Sequence, residues 1–299
     1  MKVYLERGQL RGPVVTIGAF DGIHLGHRIL IETGKAIARA RRKRFGIISF
    51  DPIPIQFFNP DFPMLLTTRS EKESILDLLG VDFIYYFRFD QKLARMEAKD
   101  FLKQIVARIN PQVVVTGKDH HFGRDRRGGV YLYKRYFPEV LVIEPIRLGD
   151  VVCSSTVVRK ELVMGRVNSA WRLLGRPYRF QGIVGPGHGK GRKLGFPTIN
   201  LALVDDGKIL PQDGVYLVRC HIQKKVYPGA MSIGPVRTIK EEHSIEIHLL
   251  DFAGDLYGEE VGVEILLRLR DLKQFTTADA LSRQIRRDIE LAKKLVVSL

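Results

Sequence analysis

Five short apolar runs, VVTIG (14–18), FGIISF (45–50), FIYYF (83–87), VVVTG (113–117) and VLVIEP (140–145), punctuate the first half of the chain. Between them, residues 25–42, 71–79 and 97–109 carry apolar side chains at helical spacing. Strands that alternate with helices predict a parallel sheet covered on both faces. Ligands of such sheets sit beyond the C-terminal strand ends. Two of the least ordinary stretches, GAFDG (18–22) and TGKDHHFG (116–123), fall there.

A second regime follows. SSTVVRKELVMGRVNSAWRLL (154–174) reads as helical, with Gly175 as a stop and Pro177 as a breaker. Beyond Tyr178, RFQGIVG, GVYLVRCHI, KVYPGAMSIG, SIEIHLLDF and VGVEILLRLR are strand-like and separated by turns without helices. That pattern predicts an antiparallel sheet or small barrel. A helix closes the chain over about 277–296, with Thr277 as its N-cap. At 299 residues two domains are expected, 1–178 and 179–299.

No apolar stretch reaches the ~20 residues that span a bilayer, and MKVYLERGQL places charges where a signal peptide is apolar. Cys153 and Cys220 lie far apart without CxxC spacing, as reduced core cysteines would. Both points predict a cytoplasmic protein without a membrane partner. The net charge of +15 raises nucleic acid as a partner. However, the dense cluster between Arg39 and Arg44 sits at a helix end, where cations complement the dipole. No RNP-type aromatic motif accompanies it, so small phosphorylated molecules are the expected partners.

GAFDGIHLGH (18–27) carries the chemistry. His24 and His27 stand three apart at the mouth of a helix, so both rings can face one turn. Gly26 lets a phosphate approach the backbone. Imidazoles can donate to phosphoryl oxygens, and in nucleotidyl transfer the protein mainly positions groups and stabilises spread negative charge. SSTVVR (154–159) opens another helix with three hydroxyls and an arginine suited to bidentate phosphate contact. In the second half, VGPGHGKGRKLGFPTINL (184–201) offers four glycines and two lysines within ten residues, an electropositive loop able to wrap phosphates. Pro197 stiffens the chain so that Thr198 and Asn200 present oxygens on one side of an extended segment.

The GxFDGxHxGH block, TGKDHHFGRDRRGG, SSTVVRKELVMGRVNSAWRLLGRPY and GRKLGFPTIN follow one another as in bacterial bifunctional riboflavin kinase/FAD synthetases (FMN adenylyltransferases), which the chain resembles over about residues 13–295. The resemblance implies an α/β fold: an N-terminal Rossmann-like nucleotidyltransferase domain, then a six-stranded antiparallel β-barrel kinase domain with a terminal helix. It implies that riboflavin is phosphorylated to FMN and that FMN is adenylylated to FAD with release of pyrophosphate, using ATP and Mg²⁺. For adenylylation it assigns ATP to Gly18, Phe20, Asp21, Gly22, His24, His27, Ser154, Ser155, Thr156 and Arg159, and flavin to Asp119 and Phe122. For the kinase it assigns ATP to Gly189, Lys190, Gly191, Arg192, Gly195, Pro197, Thr198 and Asn200. Thr198 and Asn200 would also bind Mg²⁺, Arg270 and Phe275 would bind flavin, and Glu246 would be the general base. His24 and His27 would be the catalytic pair of the other site.

The chain also departs from that family. The usual Pro-His-Pro reads Pro52-Ile53-Pro54, and the aromatic after Asp119 is His120. The segment Ser232–Thr238 has Val236 and Arg237 where the family has Arg and Pro, and Leu272 replaces a glutamate. The last three changes fall on the flavin side of the kinase half. Two narrower readings stand beside the bifunctional one: an FMN adenylyltransferase with a degenerate kinase domain, and an HxGH transferase for another phosphorylated acceptor.

Overall fold

The computed structural model describes residues 1–6, 9–61, 64–186, 194–235 and 243–296. By contacts the chain divides into two units, Met1–Val157 and Val158–Leu299.

The first unit runs β1 (Lys2–Leu5), β2 (Val14–Ile17), α1 (Leu25–Ala40), β3 (Phe45–Asp51), α2 (Pro54–Phe58), α3 (Arg69–Leu78), β4 (Phe83–Arg88), α4 (Gln91–Ala94), α5 (Ala98–Arg108), β5 (Val113–Gly117), α6 (Val130–Tyr136) and β6 (Glu139–Ile143). The strands form one sheet in the order β1-β4-β3-β2-β5-β6, and every pairing is parallel. All five sequence runs are strands, and β1 is an edge strand the reading lacked. Along β2, Val14 joins one core with Ile31 and Ala38 of α1. Val15 and Ile17 join the other, with Leu102 and Ile105 of α5. Alternate residues therefore bind helices to opposite faces. Gly34 lets α1 lie close to the sheet, because a Cβ there would stand 2.1 Å from the Phe45 ring.

Chain order reverses at β2, whose neighbours are β3 and β5. The crevice at such a reversal is where an open α/β sheet receives its ligand. It is formed here by the residues after Ile17 and after Gly117.

A short hairpin, β7 (Arg147–Leu148) with β8 (Val151–Val152), precedes α7 (Ser155–Val163) and α8 (Val167–Leu174). The sequence read these two helices as one segment. Gly165 separates them with left-handed backbone at φ 68°, which a glycine supplies without strain, and a Cβ there would stand 2.8 Å from the Arg268 guanidinium.

The second unit continues with β9 (Tyr178–Gly185), β10 (Ile199–Leu203), β11 (Gly214–Ile222), β12 (Lys225–Pro235), β13 (His243–Leu249), β14 (Glu260–Arg270) and α9 (Ala278–Val296). Its strands close a barrel in the order β10-β13-β12-β11-β14-β9. Helix α9 begins after Thr277, whose hydroxyl accepts from Ala280 N at 3.2 Å. It packs Ile289 and Ala292 against Leu217, Leu250 and Leu266. The barrel's first strand begins at Tyr178, where the sequence placed the boundary, whereas the contact division falls at Val157/Val158. Helix α8 accounts for the difference, since it packs on β9 and β14. Both cysteines are free and buried.

Candidate active sites

The turn after β2 is the first site. Phe20 (φ 50°) and Ile23 (φ 41°) both adopt left-handed backbone, beside Gly22 at φ 82°. A β-branched residue there is strained, and such strain persists only where neighbours hold it. They do so from several sides. The Asp21 carboxylate, 1 % exposed, accepts from Leu66 N at 3.0 Å, Thr67 N at 2.9 Å and Thr67 Oγ1 at 3.2 Å. Gly22 N donates to Thr67 Oγ1 at 3.0 Å. Ala19 O accepts from Ser49 Oγ at 3.2 Å and from Lys72 Nζ at 2.9 Å. Ser155 Oγ donates to Asp21 O at 2.8 Å.

The pinned turn delivers the histidines. Their rings stack with centroids 3.8 Å apart, and Phe20 supports His27 at 4.6 Å. His24 is buried as the last residue before α1, and His27 is half-buried in its first turn. Gly26 is needed for a reason the sequence did not show: a Cβ there would stand 3.1 Å from the His24 ring. Two imidazoles at the N-terminal end of a 16-residue helix, beside the strand-end crevice, suit an anion.

Other expected residues take varied positions. Ser154 Oγ accepts from Val157 N at 3.3 Å, a capping contact. Thr156 is exposed, and Arg159 is half-buried one turn along α7, in the second contact unit. Asp119 is exposed after β5, and its carbonyl faces His121 Nδ1 at 2.9 Å. Phe122 is core, stacked on Tyr133 at 4.7 Å. His120 behaves as the aromatic it replaces, stacking with Tyr133 at 5.8 Å. Burial, helped by His121 and Arg126, pushes its imidazole down to about 4, so it is neutral at physiological pH.

Sequence reasoning missed Thr67, Lys72 and Ser49, which hold the turn. The available signal was TTRSEK (67–72), which reads only as a helix start: Thr68 and Glu71 form a capping box. Removing the Asp21 carboxylate strands two buried N–H groups. We expect Asp21→Ala to destabilise the first unit by at least about 2 kcal/mol, read as a lowered thermal transition with the barrel's transition unmoved. An unchanged transition would remove Asp21 as the turn's anchor.

The second site lies on the barrel wall. Thr198 and Asn200 alternate along the chain, and Asn200 stands directly opposite Glu246 in the β10–β13 register. Directly opposed residues share a face, with Cβ atoms about 5 Å apart. Their neighbours Ile199 and Ile247 are opposed in turn, and Ile247 is buried. Asn200 and Glu246 are both half-buried, Glu246 beside Ser244 Oγ at 3.4 Å. His248 Nδ1 contacts Pro197 O at 2.8 Å, tying the stiff segment to β13. Gly195 has φ 85°, which a glycine supplies without strain. Gly189, Lys190, Gly191, Arg192, Val236 and Arg237 lie outside the described residues.

The Arg270 guanidinium is committed to Asp288 of α9, with bonds of 2.9 and 2.6 Å, and to Asp271 O at 2.8 Å. It ties helix to barrel here. Phe275 is half-buried. Leu272 lies against Gly234, where a Cβ would meet it at 2.6 Å.

Comparison with known proteins agrees with this two-part layout. The FAD synthetase family matches residues 6–157 and the Riboflavin kinase family residues 174–296. A bifunctional riboflavin kinase/FMN adenylyltransferase of Escherichia coli (strain K12) is 34% identical over 95% of this chain and 93% of its own. One of Bacillus subtilis (strain 168) is 32% identical, covering 92% and 90%. A crystal structure from Streptococcus pneumoniae, described as a macrolide-efflux protein, superposes with a TM-score of 0.91 at 32% identity, covering 98% of this chain and 99% of that one. Among the described residues no helix is long and apolar enough to cross a membrane. With both halves matched and relatives aligned over nearly their full length, the chain belongs to the bifunctional riboflavin kinase/FMN adenylyltransferase family.

Proposed function

We propose that this chain makes FMN from riboflavin and FAD from FMN, consuming ATP at two separate sites. Adenylylation is assigned to residues 1–178. FMN phosphate attacks the α-phosphate of ATP, AMP is transferred, and pyrophosphate leaves. His24 and His27 would donate to the phosphate oxygens as charge spreads over them, with Ser154, Ser155 and Thr156 toward the triphosphate and Asp119 toward the flavin. The observation that carries this reading is the stacked imidazole pair on a pinned turn at the strand-order reversal.

Phosphorylation is assigned to residues 179–299. Glu246 would orient the riboflavin 5′-hydroxyl and accept its proton as the γ-phosphate arrives. The oxygens of Thr198 and Asn200 are hard donors suited to Mg²⁺. Among the described residues no cluster of three His, Cys, Asp or Glu could hold a metal alone. Mg²⁺ bound by one or two protein oxygens together with substrate phosphates fits that donor set, and when bound it neutralises phosphate charge. Gly189, Lys190, Gly191, Arg192, Gly195 and Pro197 are assigned to ATP, with Phe275 toward the flavin. The biosynthetic role and the two free, buried cysteines favour the cytoplasm.

Incubation with riboflavin, ATP and Mg²⁺, with flavins resolved by chromatography over time, should show FMN rising and then FAD. The departures at Val236, Arg237 and Leu272 predict a raised KM for riboflavin. FAD from supplied FMN with no FMN from riboflavin would reduce the chain to its adenylylating half.

A further inference from the structure

The pinned turn contains one group that its hydrogen bonding alone does not require. Lys72, the fourth residue of α3, is 3 % exposed, and its Nζ donates to Ala19 O at 2.9 Å. Ser49 Oγ already donates to the same oxygen. A neutral donor would serve a carbonyl equally well, and burying an ammonium is expensive unless its charge is used. Charged and titratable groups face it from each neighbouring element: Asp21 in the turn, Asp51 at the end of β3, Tyr86 on β4, and Arg69 and Glu73 on its own helix. Arg69 is itself bound to Asp51 at 2.6 Å and to Glu73 at 2.8 Å. Of the charges that act on Lys72, the strongest is Asp21, the buried carboxylate of a turn expected to receive a triphosphate.

We propose that Lys72 is a positioning residue for adenylyl transfer, holding the 18–23 turn through Ala19 and balancing the charge of Asp21 beneath the nucleotide. Without its charge, the buried Asp21 carboxylate would lose that countercharge and the turn that seats His24 and His27 would lose one of its ties. Burial lowers the Lys72 ammonium to about 8 against the opposing pull of Asp21, Asp51 and Glu73. The charge is therefore present below that pH and is lost as pH rises through it. This inference rests on the adenylyltransferase reading above.

The test uses the full chain and measures FAD formation from FMN and Mg-ATP across pH, with FMN formation from riboflavin as an internal check on folding. Lys72→Met should lower kcat/KM for FAD formation by about 10- to 100-fold, the cost of displacing a reacting group by about 1 Å, and leave FMN formation unchanged. Wild-type kcat/KM should fall on an alkaline limb near pH 8. Lys72→Arg should recover most of the rate and carry it to higher pH, because a guanidinium stays charged. A Met variant that matches the wild type overturns the proposal. So does an Arg variant that recovers stability but keeps the wild-type limb, since that is the behaviour of a purely structural lysine. Absence of FAD from the unsubstituted chain would instead overturn the functional reading itself, and the proposal with it.

Discussion

His27→Ala is expected to lower FAD formation from FMN by about 10²- to 10³-fold, the usual cost of deleting one preorganised donor to a developing oxyanion. The ring sits in the first turn of α1, with His24 stacked on one side and Phe20 beside it. Its loss removes the donor and leaves Phe20 and the 18–23 turn in place, because that turn is held by Thr67, Ser49, Lys72 and Ser155 and not by His27. The effect should therefore fall on kcat more than on KM, the signature of an interaction stronger in the transition state. FMN formation from riboflavin should be unchanged. Equal loss of both activities would refute separate sites.

Glu246→Gln should give the mirror image. The amide keeps the size and the place opposite Asn200, yet it cannot accept the proton of the riboflavin 5′-hydroxyl. A positioned general base contributes about 10²- to 10⁴-fold, and FMN formation should fall by that amount while supplied FMN is still converted to FAD. Retained FMN formation in the Gln variant would move the base elsewhere on the barrel. The side-chain face supports the assignment: Ile245 and Ile247 are buried toward the barrel interior, and Glu246 between them is not.

Both candidate sites were legible in outline because their motifs depend on local chemistry. A glycine-lined turn between an apolar run and a helix places histidines whatever the rest of the chain does, and the two-residue period of a strand puts Thr198 and Asn200 on one face. The apolar runs announced five of the six strands. The sixth, KVYL, is exposed at three of four positions and carries no core signal. Helices α7 and α8 merged in the sequence because only a contact with Arg268, a hundred residues away, shows why Gly165 must break them.

What could not be read was the layer beneath the turn. A lysine in a helix ordinarily lies in solvent, and nothing in TTRSEK says that Lys72 points at a carbonyl fifty-three residues earlier. Asp21 was similarly ambiguous. As part of GAFDG it suggests a pocket residue, while its carboxylate is occupied by the backbone of Leu66 and Thr67. Long-range partners of this kind depend on how α3 lies against β3 and β4, which periodicity does not encode.

ATP labelled separately at the α- and γ-phosphates, supplied with riboflavin and Mg²⁺, tests the two-site account most directly. The γ label should appear in FMN and be carried into FAD, while the α label should enter FAD alone. An α label in FMN, or FAD that carries no α label, would contradict it.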